Sequence, residues 1–231
     1  LRKKMEIEGK KIGVSPILIQ CWGYLIYSNV TEEIQKGMLN YTDLIKICRI
    51  IADLYTNARY KLEYIGKEIY NIDTNWVGER IHTIMDTNLA KEKPSPSDKP
   101  KNLNINFDCI LDKGVRSLVT SKSQFEKVYC EIVAATKLNY LKSKRIRTSQ
   151  GLETKLAAIR FQQGRYLDAA KFLENRLALL HTEKWYHLEI DILLKLAICY
   201  VNLSDTKSFN NNCVKLLNCP NLAIKQQNIF L

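Results

Sequence analysis

The chain has 231 residues, of which 46% are hydrophobic and 26% charged, the balance of an ordinary folded protein rather than a disordered or fibrous one. Lysine and arginine number 35 against 24 acidic residues, a net charge of +11 that permits contact with phosphates on nucleic acid or lipid. The longest apolar run, Ile17 to Val30, is broken by Gln20, Gly23, Ser28 and Asn29. It also falls short of the roughly 20 residues that a membrane-spanning helix needs.

At the N-terminus, Arg2, Lys3 and Lys4 are followed by Glu6, Glu8, Lys10 and Lys11, which is not the basic-then-apolar pattern of a signal peptide. The chain starts at Leu1, as a piece of a longer protein would. Ile17 to Tyr27 reads as a helix opening at Pro16, where proline is accepted in the first turn. From Thr42 to Ile69, Leu44, Ile47, Cys48, Ile51, Leu54 and Tyr55 fall at three- and four-residue steps, a helical stripe that Asn57 to Arg59 is expected to interrupt. A weaker amphipathic segment covers Trp76 to Met85.

Thr87 to Asp108 carries Pro94, Pro96 and Pro100 and has no usable period, so it reads as an extended, flexible linker. The expected organisation is therefore a helical block at 1–86, a linker at 87–108 and a second helical block at 109–231.

In the second block, Val115, Leu118, Val119, Phe125, Tyr129, Ile132, Val133, Thr136 and Tyr140 trace one face of a single long helix. Further helices are expected over Thr148–Gln162, Tyr166–Leu180, Lys184–Asn202 and Lys207–Leu217. No run of alternating β-branched residues competes with them. Leu156 and Ala157 precede Gly164 at the same distance at which Leu196 and Ala197 precede Ser204, a repeat 40 residues long. "YLKSKRIR", Tyr140 to Arg147, is a related hinge. Small residues at Ala157, Ala169 and Ala197 would let helix axes approach closely, Gly164 would turn the chain, and Trp185 would plug a junction between helix pairs. The expected fold is all-α: antiparallel helix pairs stacked as a tetratricopeptide-like α-solenoid, with a longer period than the about 34 residues of tetratricopeptide repeats.

Catalytic signatures are absent from the sequence. Glycines form no phosphate-binding loop, and there is no G-x-S-x-G or H-E-x-x-H. Seven irregularly spaced cysteines argue against a disulfide framework or a zinc ribbon, and for buried thiols in a reducing compartment. Glu183, His187 and Asp191 share a helix face, but His181 is six residues from His187, so a surface cluster is expected rather than a metal site. The basic turn at Arg145 and Arg147 lacks the interleaved aromatics of a nucleic-acid site. It reads as a solvated turn or as a contact with a partner or an anionic membrane.

Three stretches then carry a resemblance: "SQFEKVYCEIVAATKLNYLKSKRIR", "LAAIRFQQGRYLDAAKFLENRL" and "EKWYHLEIDILLKLAICYVNLSDTKSF". With Arg145 and Arg147, the Leu156–Ala157 pair, Ala169, Trp185, and Leu196, Ala197 and Cys199, the chain resembles the trafficking protein particle (TRAPP) complex subunit 10 family. "CWGYLIYSNV" and "TDLIKICRIIADLYTNARYKLEYIG" fit the helices that precede them, and Ser204 departs from the glycine that such repeats prefer. The resemblance implies a non-catalytic scaffold subunit of a TRAPP II-type tethering and Rab guanine-nucleotide exchange complex, peripheral at Golgi membranes. It implies other TRAPP subunits as partners, a Rab GTPase reached through the assembly, and no cofactor or nucleic acid. The competing reading is a tetratricopeptide-type adaptor of an unrelated cytosolic assembly.

Overall fold

The structure, a computed structural model, describes residues 15–37, 44–72, 74 and 112–219. The amphipathic segment at Trp76 to Met85 and the linker at 87–108 lie outside the described residues. All regular structure among the described residues is helical.

Helix α1 spans Pro16–Gly37, beyond the expected end at Tyr27. The polar residues after Tyr27 do not stop it, because Thr31 turns its hydroxyl back onto the Tyr27 carbonyl at 2.6 Å and is itself buried. Helix α2 spans Leu44–Tyr70 without the break expected at Asn57 to Arg59. There Asn57 Nδ2 donates to the Asp53 carbonyl at 3.0 Å and Thr56 Oγ1 to the Ala52 carbonyl at 2.8 Å, while Ala58 and Arg59 are buried. Tertiary packing overrides the weak local propensity.

The single long helix expected across Val115 to Tyr140 is instead two, α3 at Lys113–Thr120 and α4 at Lys122–Lys142. Ser121, extended at φ −128°, ends one and caps the other, its Oγ accepting the Gln124 N–H at 3.4 Å. The interruption releases α3's last carbonyls, and Tyr70 of α2 donates its hydroxyl to one of them, Leu118, at 2.7 Å. Asp112 caps the other end of α3, accepting the Val115 N–H at 2.8 Å.

The helix expected over Thr148–Gln162 is likewise divided, into α5 at Ile146–Gly151 and α6 at Glu153–Gln162, with Leu152 between them. Ser149 of α5 donates to the Lys137 carbonyl of α4 at 3.0 Å, which seats the short helix on its predecessor. Beyond these come α7 at Tyr166–Glu183, α8 at Tyr186–Leu203 and α9 at Thr206–Leu217.

The described helices form two compact units, α1 to α5 and α6 to α9, so that the dividing point between Leu152 and Glu153 falls inside the block read as 109–231. In the first unit α2 packs between α1 and α4, and α3 and α5 pack on α4. Its core includes Ile51, Leu62, Ile65, Ile69, Phe125, Tyr129 and Val133, all inaccessible to solvent.

In the second unit each helix packs on the one before it, the neighbour-on-neighbour order of an α-solenoid. Helix α8, held between α7 and α9, is buried from Ile192 to Tyr200 without a gap. It is therefore apolar nearly all round, as a central helix must be. Tyr200 donates to Glu174 Oε1 of α7 at 2.6 Å, and buried Asn212 of α9 donates to the Leu193 carbonyl of α8 at 2.7 Å. Ala157, Ala169 and Ala197 are all buried, on α6, α7 and α8.

The 40-residue repeat has a finer grain. Lys144, Gly164, Lys184 and Ser204, spaced 20 residues apart, all have positive φ, between 57° and 73°. At each, the positive-φ residue donates its N–H three residues back and its successor donates five back, at 2.8–3.2 Å. This is the Schellman closure that satisfies a helix's last carbonyls. The successors Arg145, Arg165, Trp185 and Asp205 then stand in the N-cap position of the next helix, so one turn geometry recurs four times.

Only one of the four left-handed positions holds glycine. An L-residue there costs about 1–2 kcal/mol, partly offset by glycine's larger entropy loss of about 0.5–1 kcal/mol. Lys144→Gly, Lys184→Gly and Ser204→Gly are each expected to raise stability by about 0.5–1 kcal/mol. Gly164→Ala should lower it by about 1 kcal/mol, since a Cβ there meets open space and only the backbone objects. Urea midpoints of the four variants test this; a uniform loss on adding glycine would contradict the turn geometry.

Candidate functional site

The basic turn is built by the end of α4 and the start of α5. Lys144 closes α4 in the left-handed conformation, and Arg145 follows as the N-cap of α5 without a side-chain cap hydrogen bond. Tyr140, in the last turns of α4, donates its hydroxyl to Asp53 Oδ1 of α2 at 3.0 Å and lies 2.9 Å from Thr56 Oγ1. Burial pushes the Tyr140 phenol above its ordinary pKa, so it remains a donor. Arg145 Nη1 stands 4.0 Å from the same Asp53 oxygen, with its side chain 38% exposed. A pair this long and this wet contributes little to stability, about 0–1 kcal/mol. Arg147, on the first turn of α5, is exposed. The turn thus presents cations from a backbone held rigid by the Schellman closure and by the Tyr140–Asp53 bond.

The turn also carries apolar side chains that sequence reasoning passed over. Leu138 and Leu141 of α4 are 51% and 43% exposed, and Ile146, the first residue of α5, is 54% exposed. The signal was available in the period. Tyr129, Val133, Thr136 and Tyr140 mark the buried face of α4, and at 100° per residue Leu138 falls opposite it, where a polar residue belongs.

Gly164 turns the chain between α6 and α7, with φ +73°. Trp185 corrects the expectation of a buried plug, for it is 44% exposed. Its equivalents in the repeat, Arg145, Arg165 and Asp205, are all charged, and Arg165 and Asp205 are exposed as it is. The buried member of that turn is Leu180, 1% exposed, whose carbonyl accepts the Trp185 N–H at 3.1 Å.

The His/Glu/Asp cluster is engaged in packing. His181 Nδ1 lies 3.0 Å from Glu189 Oε1, joining the end of α7 to the start of α8, and Asp191 pairs with Lys195 one turn on. Among the described residues, no group of three or more histidines, cysteines, aspartates or glutamates is placed to hold a metal ion. Burial raises the thiol of Cys199 to about 12, which makes it an inert, protonated core residue rather than a nucleophile. Among the described residues, no helix is long and apolar enough to cross a membrane.

Comparison with known proteins places this arrangement. The family model described as TRAPPC10/Trs130, NTS-like domain, matches residues 104–229, which includes every helix from α3 to α9. The chain is also similar to the "Trafficking protein particle complex II-specific subunit 130 homolog" of Arabidopsis thaliana, 30% identical over 131 residues. That alignment covers 53% of this chain and 10% of the relative, so the chain spans about a tenth of the relative's length. No solved structure matches. With more than half of its residues inside the family model, the chain belongs to the TRAPPC10/Trs130 family and carries its NTS-like domain.

Proposed function

We propose that this chain is a scaffold segment of a TRAPP II-type complex that tethers vesicles and exchanges guanine nucleotide on Rab GTPases in Golgi transport. The observation that carries the reading is the family match over residues 104–229, coinciding with helices that Ser149, Tyr200 and Asn212 tie to their predecessors by hydrogen bonds. In this reading the segment is non-catalytic. Its partners are other TRAPP subunits, a Rab GTPase is met only through the assembly, and the protein works on the cytoplasmic side, peripheral at Golgi membranes. Helix-on-helix surfaces suit that role, because they present long, rigid faces without needing a pocket.

The test is assembly. A full-length protein lacking residues 112–219 is expected to lose co-purification of the other TRAPP subunits, and supplying the intact chain should restore it. Nucleotide release from a Rab GTPase should stay at its uncatalysed rate when this chain is added alone. Undiminished assembly without the segment would refute the scaffold role, and stimulated release by the chain alone would refute the non-catalytic one.

A further inference from the structure

The stretch from Ile132 to Leu152 holds five cations, Lys137, Lys142, Lys144, Arg145 and Arg147, and no acidic residue. Lys142, Lys144 and Arg147 are exposed there, and so are Leu138, Leu141 and Ile146. Singly exposed leucines need no explanation, but three large aliphatic side chains within nine residues, set among cations, form a mixed patch. Asp53 of the neighbouring helix faces this turn, and it is occupied by the Tyr140 hydroxyl and adjoins Arg145. The outer charges on Lys142 and Lys144 are not offset by it.

From this juxtaposition the geometry points to the α4–α5 turn as a docking site for an anionic lipid surface, with Leu138, Leu141 and Ile146 entering the headgroup–acyl boundary. This rests on the peripheral-membrane part of the proposed function and names the residues that would make the contact. Charge complementarity selects the occupant's sign: an uninterrupted cationic stretch seeks anions. Shape selects between a bilayer and a protein. The leucines crown the outward ridge of α4, opposite its packing face, and a fluid interface receives a ridge, whereas an acidic helix would need a groove in which to lodge its anchors. The lysines are suited as well, since their stems lie along apolar surface while the ammonium groups reach phosphate. The Schellman closure at Lys144 fixes the patch before contact, so little ordering is required on binding.

The experiment is co-sedimentation of the 231-residue chain with phosphatidylcholine vesicles made with and without phosphatidylserine. Binding is expected only with phosphatidylserine. The double variant Lys142→Gln/Lys144→Gln should weaken it roughly 20–30-fold at low salt, about fivefold per lysine. Leu138→Ser/Leu141→Ser/Ile146→Ser should weaken it at least about tenfold at low and at high salt, because the apolar part is not screened. Leu138→Met/Leu141→Met should bind as the parent does, and all variants should keep the parent's circular dichroism, their side chains being exposed. The proposal is overturned by no vesicle binding, by equal binding to phosphatidylcholine alone, or by binding that neither set of variants alters. It is equally overturned if the chain ignores vesicles yet captures an acidic amphipathic helix through these residues. Absence of vesicle binding by the parent chain, with co-purification intact, removes only this proposal, and vesicle binding without co-purification removes only the scaffold.

Discussion

Replacing Phe125 with alanine is expected to lower the free energy of unfolding by about 3–5 kcal/mol. The ring is wholly buried and lies between two others, with centroids 5.4 Å from Tyr70 and 6.1 Å from Tyr129. Its tip rests on Gly66 of α2, where an added Cβ would come within 2.5 Å of Phe125 Cζ. Glycine is therefore what allows α4 to seat its largest apolar side chain against α2. Gly66→Ala sets two effects against each other. Alanine improves helix propensity by about 1 kcal/mol, while forcing apart a ring confined by two tyrosines costs about 1–3 kcal/mol. The ring cannot retreat as a lysine stem would, so the clash should win and Gly66→Ala should destabilise. In a Phe125→Ala background the clash is gone, and the same substitution should stabilise by about 1 kcal/mol. Urea unfolding of the four proteins decides it; a Gly66→Ala variant more stable than the parent would mean that α4 is not packed against Gly66.

That contact shows what could be read from the sequence and what could not. The stripes of α2, α7, α8 and α9 were legible because their apolar residues recur at helical spacing, and each helix ends within a few residues of its expected place. Gly66 sits inside such a stripe, where nothing local distinguishes a close helix crossing from a weak spot.

The breaks at Ser121 and Leu152 were hidden for a different reason. The apolar period runs through both, and only backbone capping, by Ser121 Oγ and by the Ser149 carbonyl, reveals the interruption. The 20-residue turn was half visible, since Gly164 announces itself while Lys144, Lys184 and Ser204 occupy the same conformation without the expected residue. In the basic turn the charges stood out by composition. Leu138 and Leu141 did not, because apolar residues in a helix are presumed to face inward until the packing face is known.

Removing Glu63 alone should be as damaging as emptying the Phe125 site, whereas removing Glu63, Arg59 and the Tyr129 hydroxyl together should cost almost nothing. Both belong to α2, one turn apart, and form an ion pair whose side chains are only 5% and 13% exposed. Tyr129 of α4 donates to the same carboxylate oxygen at 2.9 Å, and burial holds its phenol well above the ordinary pKa, so that it stays a donor. The Arg59 guanidinium also lies 4.4 Å from the Tyr60 ring centroid, while its Nε has no hydrogen-bond partner. An arginine in this setting depends on its carboxylate. Glu63→Ala leaves a buried charge uncompensated and is expected to cost about 3–5 kcal/mol. Arg59→Met/Glu63→Leu replaces both charges with apolar volume but leaves the buried Tyr129 hydroxyl without its acceptor, so with Tyr129→Phe added it should fall within about 1 kcal/mol of the parent, or above it. Tyr129→Phe in the parent should cost about 1.5–3 kcal/mol, the range for a hydrogen bond to a charged acceptor, and should be neutral or stabilising in the charge-free background, where the hydroxyl has lost that acceptor. Because the bonded oxygen is on α2 and the tyrosine on α4, the lost coupling measures how strongly this cluster sets the register of the two helices. Equilibrium unfolding of the full double-mutant cycle supplies the numbers. If Glu63→Ala costs under about 1 kcal/mol, the pair is solvated like a surface bridge and holds no register.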